Sequence, residues 1–284
     1  MKSFKAAAHG DDARALLDGW HLIEDALTAD LAFETVALTR PPRTDHEVAI
    51  VSQLTRQSRA GVVYVSTAVM DALSPVRTPA GIVALVDRPE LSLSGLFDHA
   101  TPLIIVAVDM QDPGNVGAVI RSAEAGGASG VLFTGASADP WGWKALRAAM
   151  GSTFRLPTVH EPHAADACAL LREQGIRLMA TVPRDGIPMH HIDMTRPTAL
   201  LLGGEGAGLD LRVVDLADDR ITIPMQAPVE SLNVAVATGV LVYEARRQRN
   251  KDLLRKQDSL REQDLAPAPS ESPAVRPRST TTDH

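Results

Sequence analysis

Three short segments carry the side chains of this chain best suited to chemistry. They are Asp112-Pro-Gly-Asn115-Val-Gly-x-x-x-Arg121, Leu202-Gly-Gly-Glu205-Gly-x-Gly208 and Ile223-Pro-Met225-x5-Ser231-Leu-Asn233. In the first, Asp-Pro-Gly is strong turn chemistry. Asn115 then stands where an N-cap belongs, and Arg121 follows two turns into a helix whose apolar stripe is Val116, Val119, Ile120 and Ala123. Taken singly, these are a helix cap and a surface arginine. In the second segment, glycines surround Glu205, and glycine permits left-handed backbone and close approach of the main chain to a ligand. Such a turn can also cradle a phosphate, but the spacing is not that of a dinucleotide fingerprint, and no helix with a following acidic residue completes one. In the third, Ser231 is placed to cap a helix, with Asn233 in its first turn.

These segments need a scaffold that delivers them to one place. Short apolar runs at Leu103–Val108, Gly130–Phe133, Arg177–Val182, Ala199–Gly203 and Arg220–Ile223 alternate with helical stretches. Continuous apolar strands separated by helices imply an α/β fold with a parallel sheet covered on both faces. Each motif then leaves the end of a strand. The last helix runs from Ser231 to about Arg249, with Leu232, Val236, Val240 and Tyr243 along one face. Upstream, residues 13–88 form a smaller α/β module. There Ala13 to Leu27 has apolar residues at helical spacing (Leu16, Leu17, Trp20, Ile23, Leu27). Thr35–Leu38, Val62–Val65 and Gly81–Val86 read as strands, and Thr67–Leu73 as a short helix. The expected organisation is an N-terminal segment 1–12, a module at 13–88, a linker at 89–102 rich in turn residues, a second domain at 103–250 and a tail at 251–284. That tail is charged, then Pro-, Ser- and Thr-rich, and is expected to lack order because it buries too little apolar area.

Composition bounds the partners. The net charge of −7 over 284 residues argues against a protein that coats phosphates nonspecifically. Any nucleic-acid contact must therefore be local, at clusters such as Arg40/Arg43, Arg56/Arg59 or Arg246-Arg247-x-Arg249. Aromatics at 4% leave little for a surface of stacking rings. The one cysteine, Cys168, excludes an internal disulfide and a cysteine-rich zinc site. The nine histidines show no ligand spacing with acids, so no metal is implied. The start of the chain has no apolar core of signal-peptide length, and no apolar run approaches the ~20 residues that span a bilayer. A soluble, cytoplasmic protein is expected.

The order and spacing of the three motifs resemble those of the SpoU (TrmH) family, which methylates ribose 2'-hydroxyls of RNA using S-adenosylmethionine. The resemblance is close over 103–249. It is looser upstream, where Asp18-Gly19 and Pro79-x-Gly81 resemble the small ribosomal-protein-like domain that many of these enzymes carry for RNA binding. It implies the SPOUT fold, a parallel-sheet domain whose chain is threaded as a deep trefoil knot. It also implies a homodimer, with catalytic roles for Arg121, Asn115, Glu205, Ser231 and Asn233. Cofactor contacts would come from Gly203, Gly204, Ile223, Met225 and Leu232. Ala227 stands where the family usually has glycine; if left-handed backbone is needed there, alanine costs roughly 1 kcal/mol or more.

Methyl transfer from a sulfonium is an in-line displacement that needs an aligned nucleophile about 3 Å away. The weakly acidic 2'-hydroxyl must share or lose its proton. Arginine holds its own proton tightly, so Arg121 could stabilise the developing alkoxide or position an RNA phosphate that takes the proton. The two-domain layout favours 23S rRNA over tRNA, with housekeeping and antibiotic-resistance roles equally compatible. A noncatalytic RNA-binding factor of the same fold, or a nucleotide enzyme of the dinucleotide-binding type, are the other readings.

Overall fold

The computed structural model describes residues 2–9, 13–59, 61–89, 93–206 and 208–265. The first unit comprises α1 (Lys2–His9), β1 (Arg14–Asp18), α2 (Trp20–Thr28), β2 (Phe33–Leu38), α3 (Asp45–Gln57), β3 (Val62–Tyr64), α4 (Thr67–Leu73) and β4 (Ile82–Asp87). Its four strands lie in the order β1-β4-β2-β3. One face packs on α2 and α3 through Leu17, Ile23, Ile50 and Leu54. The other packs on α1 and α4 through Phe4, Leu16, Met70 and Leu73.

One expectation fails here: Ala13–Leu27 is a strand and a helix, not one helix. Ala15, Leu16 and Leu17 are all buried in β1, because both faces of the sheet are covered, and a continuous apolar triplet fits a helical period by coincidence. Gly19 then turns the chain at φ 102°, opening α2.

The second unit holds β5 (Leu103–Val108), α5 (Pro113–Gly126), β6 (Gly130–Thr134), α6 (Trp143–Ala149), α7 (Ser152–Arg155), β7 (Thr158–Glu161), α8 (Ala164–Glu173), β8 (Arg177–Thr181), β9 (Ile187–Pro188), β10 (Thr198–Gly203), α9 (Leu211–Val214), β11 (Asp219–Thr222) and α10 (Val234–Leu265). Seven strands form one sheet in the order β7-β6-β5-β10-β8-β11-β9, every pairing parallel. β5 is buried along its whole length, the signature of a strand with helices on both sides. All five expected strands are present; β7 and β9 were not expected, being short and carrying polar residues or proline. Gly117 of the first motif is where α5 and α6 meet. A Cβ there would lie 2.2 Å from the Ala145 carbonyl oxygen.

The stretch 89–102 is more than a linker. Leu96 is fully buried in the second unit, in one cluster with Ile104, Leu132 and Leu171. The two units are also docked against each other. Trp141 of the β6–α6 connection is 5% exposed within the cluster of Leu17, Leu22 and Ile23, while Trp143 packs on the opposite cluster with Phe4 and Leu16. The pair straddles β1, the edge strand. Arg88 adds a 2.6 Å ion pair to Asp139 and donates to the Arg14 carbonyl.

The C-terminal helix corrects two further expectations. α10 continues past Asn250 to Leu265, in keeping with the helix-forming Lys, Leu, Arg, Gln and Glu of that stretch; residues 266–284 lie outside the described residues. Its buried side is Val234, Thr238, Leu241, Val242 and Ala245. The stripe named from sequence faces outward instead, with Val236 and Tyr243 each 53% exposed.

The Arg246–Arg249 cluster is not an open basic patch either. Arg249 donates to the carbonyls of Met194, Thr101, Pro102 and Arg196, and its burial lowers its pKa from the usual arginine value. Arg246 donates to the Ala125 carbonyl, and Arg247 forks onto Glu244. Arg246 and Arg249 thus tie α10 to the body of the fold, while Arg247 is paired within the helix.

Candidate active site

Neighbouring parallel strands end at the same edge of a sheet, and open α/β sheets bind ligands beyond their carboxyl ends. Here β5 and β10 are paired to their last residues, with Val108 opposite Gly203. The first two motifs therefore leave side by side. After β5, Asp109 adopts φ 52°, and its carboxylate accepts from the Ala136 amide at 2.8 Å. The helix cap is Asp112, not Asn115: Asp112 Oδ1 accepts from the Asn115 amide at 2.9 Å, with Pro113 in the first turn. Sequence reasoning placed the cap three residues late because asparagine and aspartate serve equally well at that position. The shift frees the Asn115 side chain.

The glycine loop after β10 folds tightly upon itself. Gly204 bridges Gly208, and Gly206 and Gly208 take φ of 88° and 68°. A Cβ on Gly204 would lie 2.4 Å from the Asp109 carbonyl oxygen, so this loop is pressed onto the first motif. The third motif arrives from β11. α10 begins at Val234, and its cap is Asn233, whose Oδ1 accepts from the amides of Ala235 at 2.9 Å and Val236 at 3.4 Å. Ser231, the cap expected from sequence, is exposed and precedes the helix. Ala227 does not have left-handed backbone, so the cost anticipated for alanine there does not arise.

One amide joins the three motifs. Asn233 Nδ2 donates to Asn115 Oδ1 at 3.0 Å and to Glu205 Oε1 at 3.0 Å. Since Asn233 Oδ1 is held by the helix start, the amide is oriented at both ends. One oxygen of Glu205 and the amino group of Asn115 remain for a ligand. Arg121 is not part of this cluster. It lies two turns along α5, exposed, and makes no hydrogen bond or ion pair with the described residues.

Beside the cluster is a cavity of about 510 Å³, within the ~300–1,000 Å³ usual for small-molecule sites. Gly203, Gly204, Ile223, Met225 and Leu232 all line it, as do Glu205, Ser231 and Asn233. Sequence reasoning missed Thr181, Val182, Pro183, Leu209 and Leu241. Thr181 ends β8 and the next two follow it, and no turn motif marks that strand's end. The lining suits a nucleoside sulfonium: apolar walls for a flat base, main-chain groups of a glycine loop for polar edges, and a carboxylate near a positive centre. At the surface beside it, Arg184 pairs with Glu230 at 2.9 Å, both side chains at least 70% exposed. An exposed pair of this kind contributes at most ~1 kcal/mol.

Comparison with known proteins agrees with this geometry. The SpoU rRNA Methylase family model matches residues 102–243, and a model for RNA 2'-O ribose methyltransferase substrate binding matches residues 16–92. An uncharacterized tRNA/rRNA methyltransferase of Synechocystis is 36% identical over 82% of this chain and 84% of its own length. The 23S rRNA (guanosine(2553)-2'-O)-methyltransferase RlmP of Bacillus subtilis is 33% identical over 81% of this chain and 88% of its own. Among solved structures, the SpoU methyltransferase AviRb of Streptomyces viridochromogenes in complex with AdoMet superposes with a TM-score of 0.78, at 28% identity, covering 87% of this chain and 97% of that one. The AdoMet-bound rRNA methyltransferase of Sinorhizobium meliloti gives 0.76 at 26% identity, covering 87% and 93%.

Proposed function

This chain belongs to the SpoU rRNA methylase family of S-adenosylmethionine-dependent RNA 2'-O-methyltransferases, and we propose that its substrate is 23S rRNA. The observation that carries the reading is the Asn233 amide, which binds a residue of each other motif at the rim of the cavity. The relative in Bacillus subtilis is named for 23S rRNA, and a ribosomal substrate puts the enzyme in the cytoplasm.

The bound cofactor supplies an activated methyl group. We assign its contacts to Gly203, Gly204, Ile223, Met225 and Leu232, which share one cavity. Asn233 holds Asn115 and Glu205 in register, Ser231 and Asn115 offer hydrogen bonds to the ribose, and Arg121 acts on the 2'-hydroxyl. Purified protein, tritiated S-adenosylmethionine and total RNA from a strain lacking the gene provide the test. The expected result is label in 23S rRNA, recovered as a 2'-O-methylnucleoside. Label confined to tRNA overturns the rRNA assignment, and no label in any RNA overturns the catalytic reading of the site.

We also propose a homodimer formed through the second unit. Val236, Val240 and Tyr243 make an outward apolar stripe on α10, continuous with Leu232 at the cavity rim, 37% exposed. An unburied stripe at helical spacing is what a partner helix covers. Sedimentation velocity is expected to find a dimer, and Val236→Glu, which buries a charge if that stripe is covered, a monomer. A monomeric wild type, or a Val236→Glu dimer as tight as wild type, overturns it. We further take the chain after β10 to be threaded as the family's trefoil knot, because β10 inserts between β5 and β8 while β11 returns on the far side of β8. An experimental chain trace that unties when its ends are drawn outward would refute this.

A further inference from the structure

An RNA enzyme with a net charge of −7 must concentrate its positive charge. Among the described residues most arginines are neutralised internally: Arg40, Arg59, Arg177, Arg184, Arg220 and Arg247, for example, each pair with a carboxylate. Among the described residues, those with no such ion pair include Arg43, Arg77, Lys144, Arg147 and Arg121, all exposed. They are far apart in sequence, yet the fold sets them along one line.

The line starts at one end of the small sheet. Arg43 lies in the loop after β2 and Arg77 in the loop before β4. Those loops adjoin, since the Thr39 amide donates to the Gly81 carbonyl at 3.0 Å. The Arg77 loop is tied to the end of β1, where Asp18 accepts from the Ser74 hydroxyl and the Ala80 amide. Arg147 of α6, in the other unit, is close enough for its charge to favour the ionised form of this same Asp18. Lys144 lies one turn before Ala148, and a Cβ on Gly117 of α5 would be 2.7 Å from the Ala148 Cβ. Arg121 is one turn further along that face of α5. The two cations at the seam are held by an aromatic ring. Lys144 Nζ lies 5.6 Å and Arg147 Cζ 6.0 Å from the centroid of Trp143, within the range of cation–π attraction. That ring is half-buried, with its apolar body on the core of the small unit. Cations held this way lose less freedom on binding a phosphate than free side chains do.

We propose that this line is the RNA track. A strand of the substrate crosses the seam between the two units over Trp143, with backbone phosphates on Lys144 and Arg147, and so enters the site at Asn115 and Arg121. The proposal rests on the RNA methyltransferase reading above. It assigns to Trp143, Lys144 and Arg147 the binding of substrate, and leaves the cofactor untouched.

The test is Lys144→Glu with Arg147→Glu in the full-length protein, assayed on a 23S rRNA transcript. The expected result is about tenfold weaker RNA binding near 0.1 M salt. The KM for RNA should rise with kcat retained, and S-adenosylmethionine affinity should stay within twofold by calorimetry. Lys144→Gln with Arg147→Gln guards against repulsion from Asp18. It should lower the slope of log Kd against log salt by about 1.4, at ~0.7 per phosphate on single-stranded RNA. Arg196→Glu with Arg212→Glu makes the same charge change away from the line and should leave RNA binding unchanged. Wild-type affinity in both seam variants, or an equal loss in the control, overturns the track while leaving the methyltransferase reading intact. A wild-type protein that transfers no methyl group to RNA refutes that reading, whatever the seam variants do.

Discussion

Arg121→Ala is expected to lower kcat for RNA methylation by about 10² to 10³-fold, the usual loss when one preorganised charge at a reacting oxygen is removed. The fold should not suffer. Arg121 is exposed and makes no hydrogen bond or ion pair with the described residues, so its loss leaves no buried orphan. Cofactor affinity should hold too, because Arg121 is not among the residues lining the cavity. A side chain that does nothing for its own protein, in a helix turn beyond the Asn115–Asn233–Glu205 cluster, is available to a ligand. Arg121→Lys keeps a positive charge but loses the planar fork, and should recover only part of the rate if two oxygens are held at once. Single-turnover kinetics with saturating cofactor check this. Turnover of Arg121→Ala within threefold of wild type would remove Arg121 from the mechanism.

The second large effect concerns the cofactor. A Cβ on Gly203 would lie 2.1 Å from the Gly208 carbonyl carbon and 2.3 Å from both its oxygen and the Leu209 amide nitrogen. Those atoms are backbone, so no side chain can swing away, and the loop from Gly204 to Gly208 must move as a unit. That loop is one wall of the cavity. Gly203→Ala is therefore expected to weaken S-adenosylmethionine binding by about 100-fold, equivalent to ~2.7 kcal/mol, as read by calorimetry. Gly206→Ala is the matched comparison. Gly206 has φ +88° but open space around its Cβ position, so it should cost about 1 kcal/mol of stability and keep most of the affinity. Equal affinities for Gly203→Ala and wild type would mean that this wall is not rigid.

What was legible in the sequence followed from local rules. β5 and β10 were readable because a strand buried on both faces has no choice but a continuous apolar run. The motif loops were readable because Asp-Pro-Gly and glycine clusters restrict the backbone whatever surrounds them. Local rules misled where two local solutions were nearly equal. Asp112 and Asn115 could each cap α5, and Ser231 and Asn233 could each precede α10; hydrogen bonds to a side chain or amide decided between them. The apolar spacing of Leu16, Leu17, Trp20, Ile23 and Leu27 fitted a helix until Gly19 and sheet pairing divided it.

The sequence by itself determined the fold class, the three motifs and their order along the chain, because those depend on residue type and near neighbours. Only the tertiary structure decided that Asn233 joins Asn115 and Glu205, which are 118 and 28 residues away. It also decided that Arg246 and Arg249 serve the fold, and that Lys144 and Arg147 line a seam. Such facts depend on which distant segments meet. That is set by strand order and by burial summed over the whole core, and no local stretch of the chain carries either quantity.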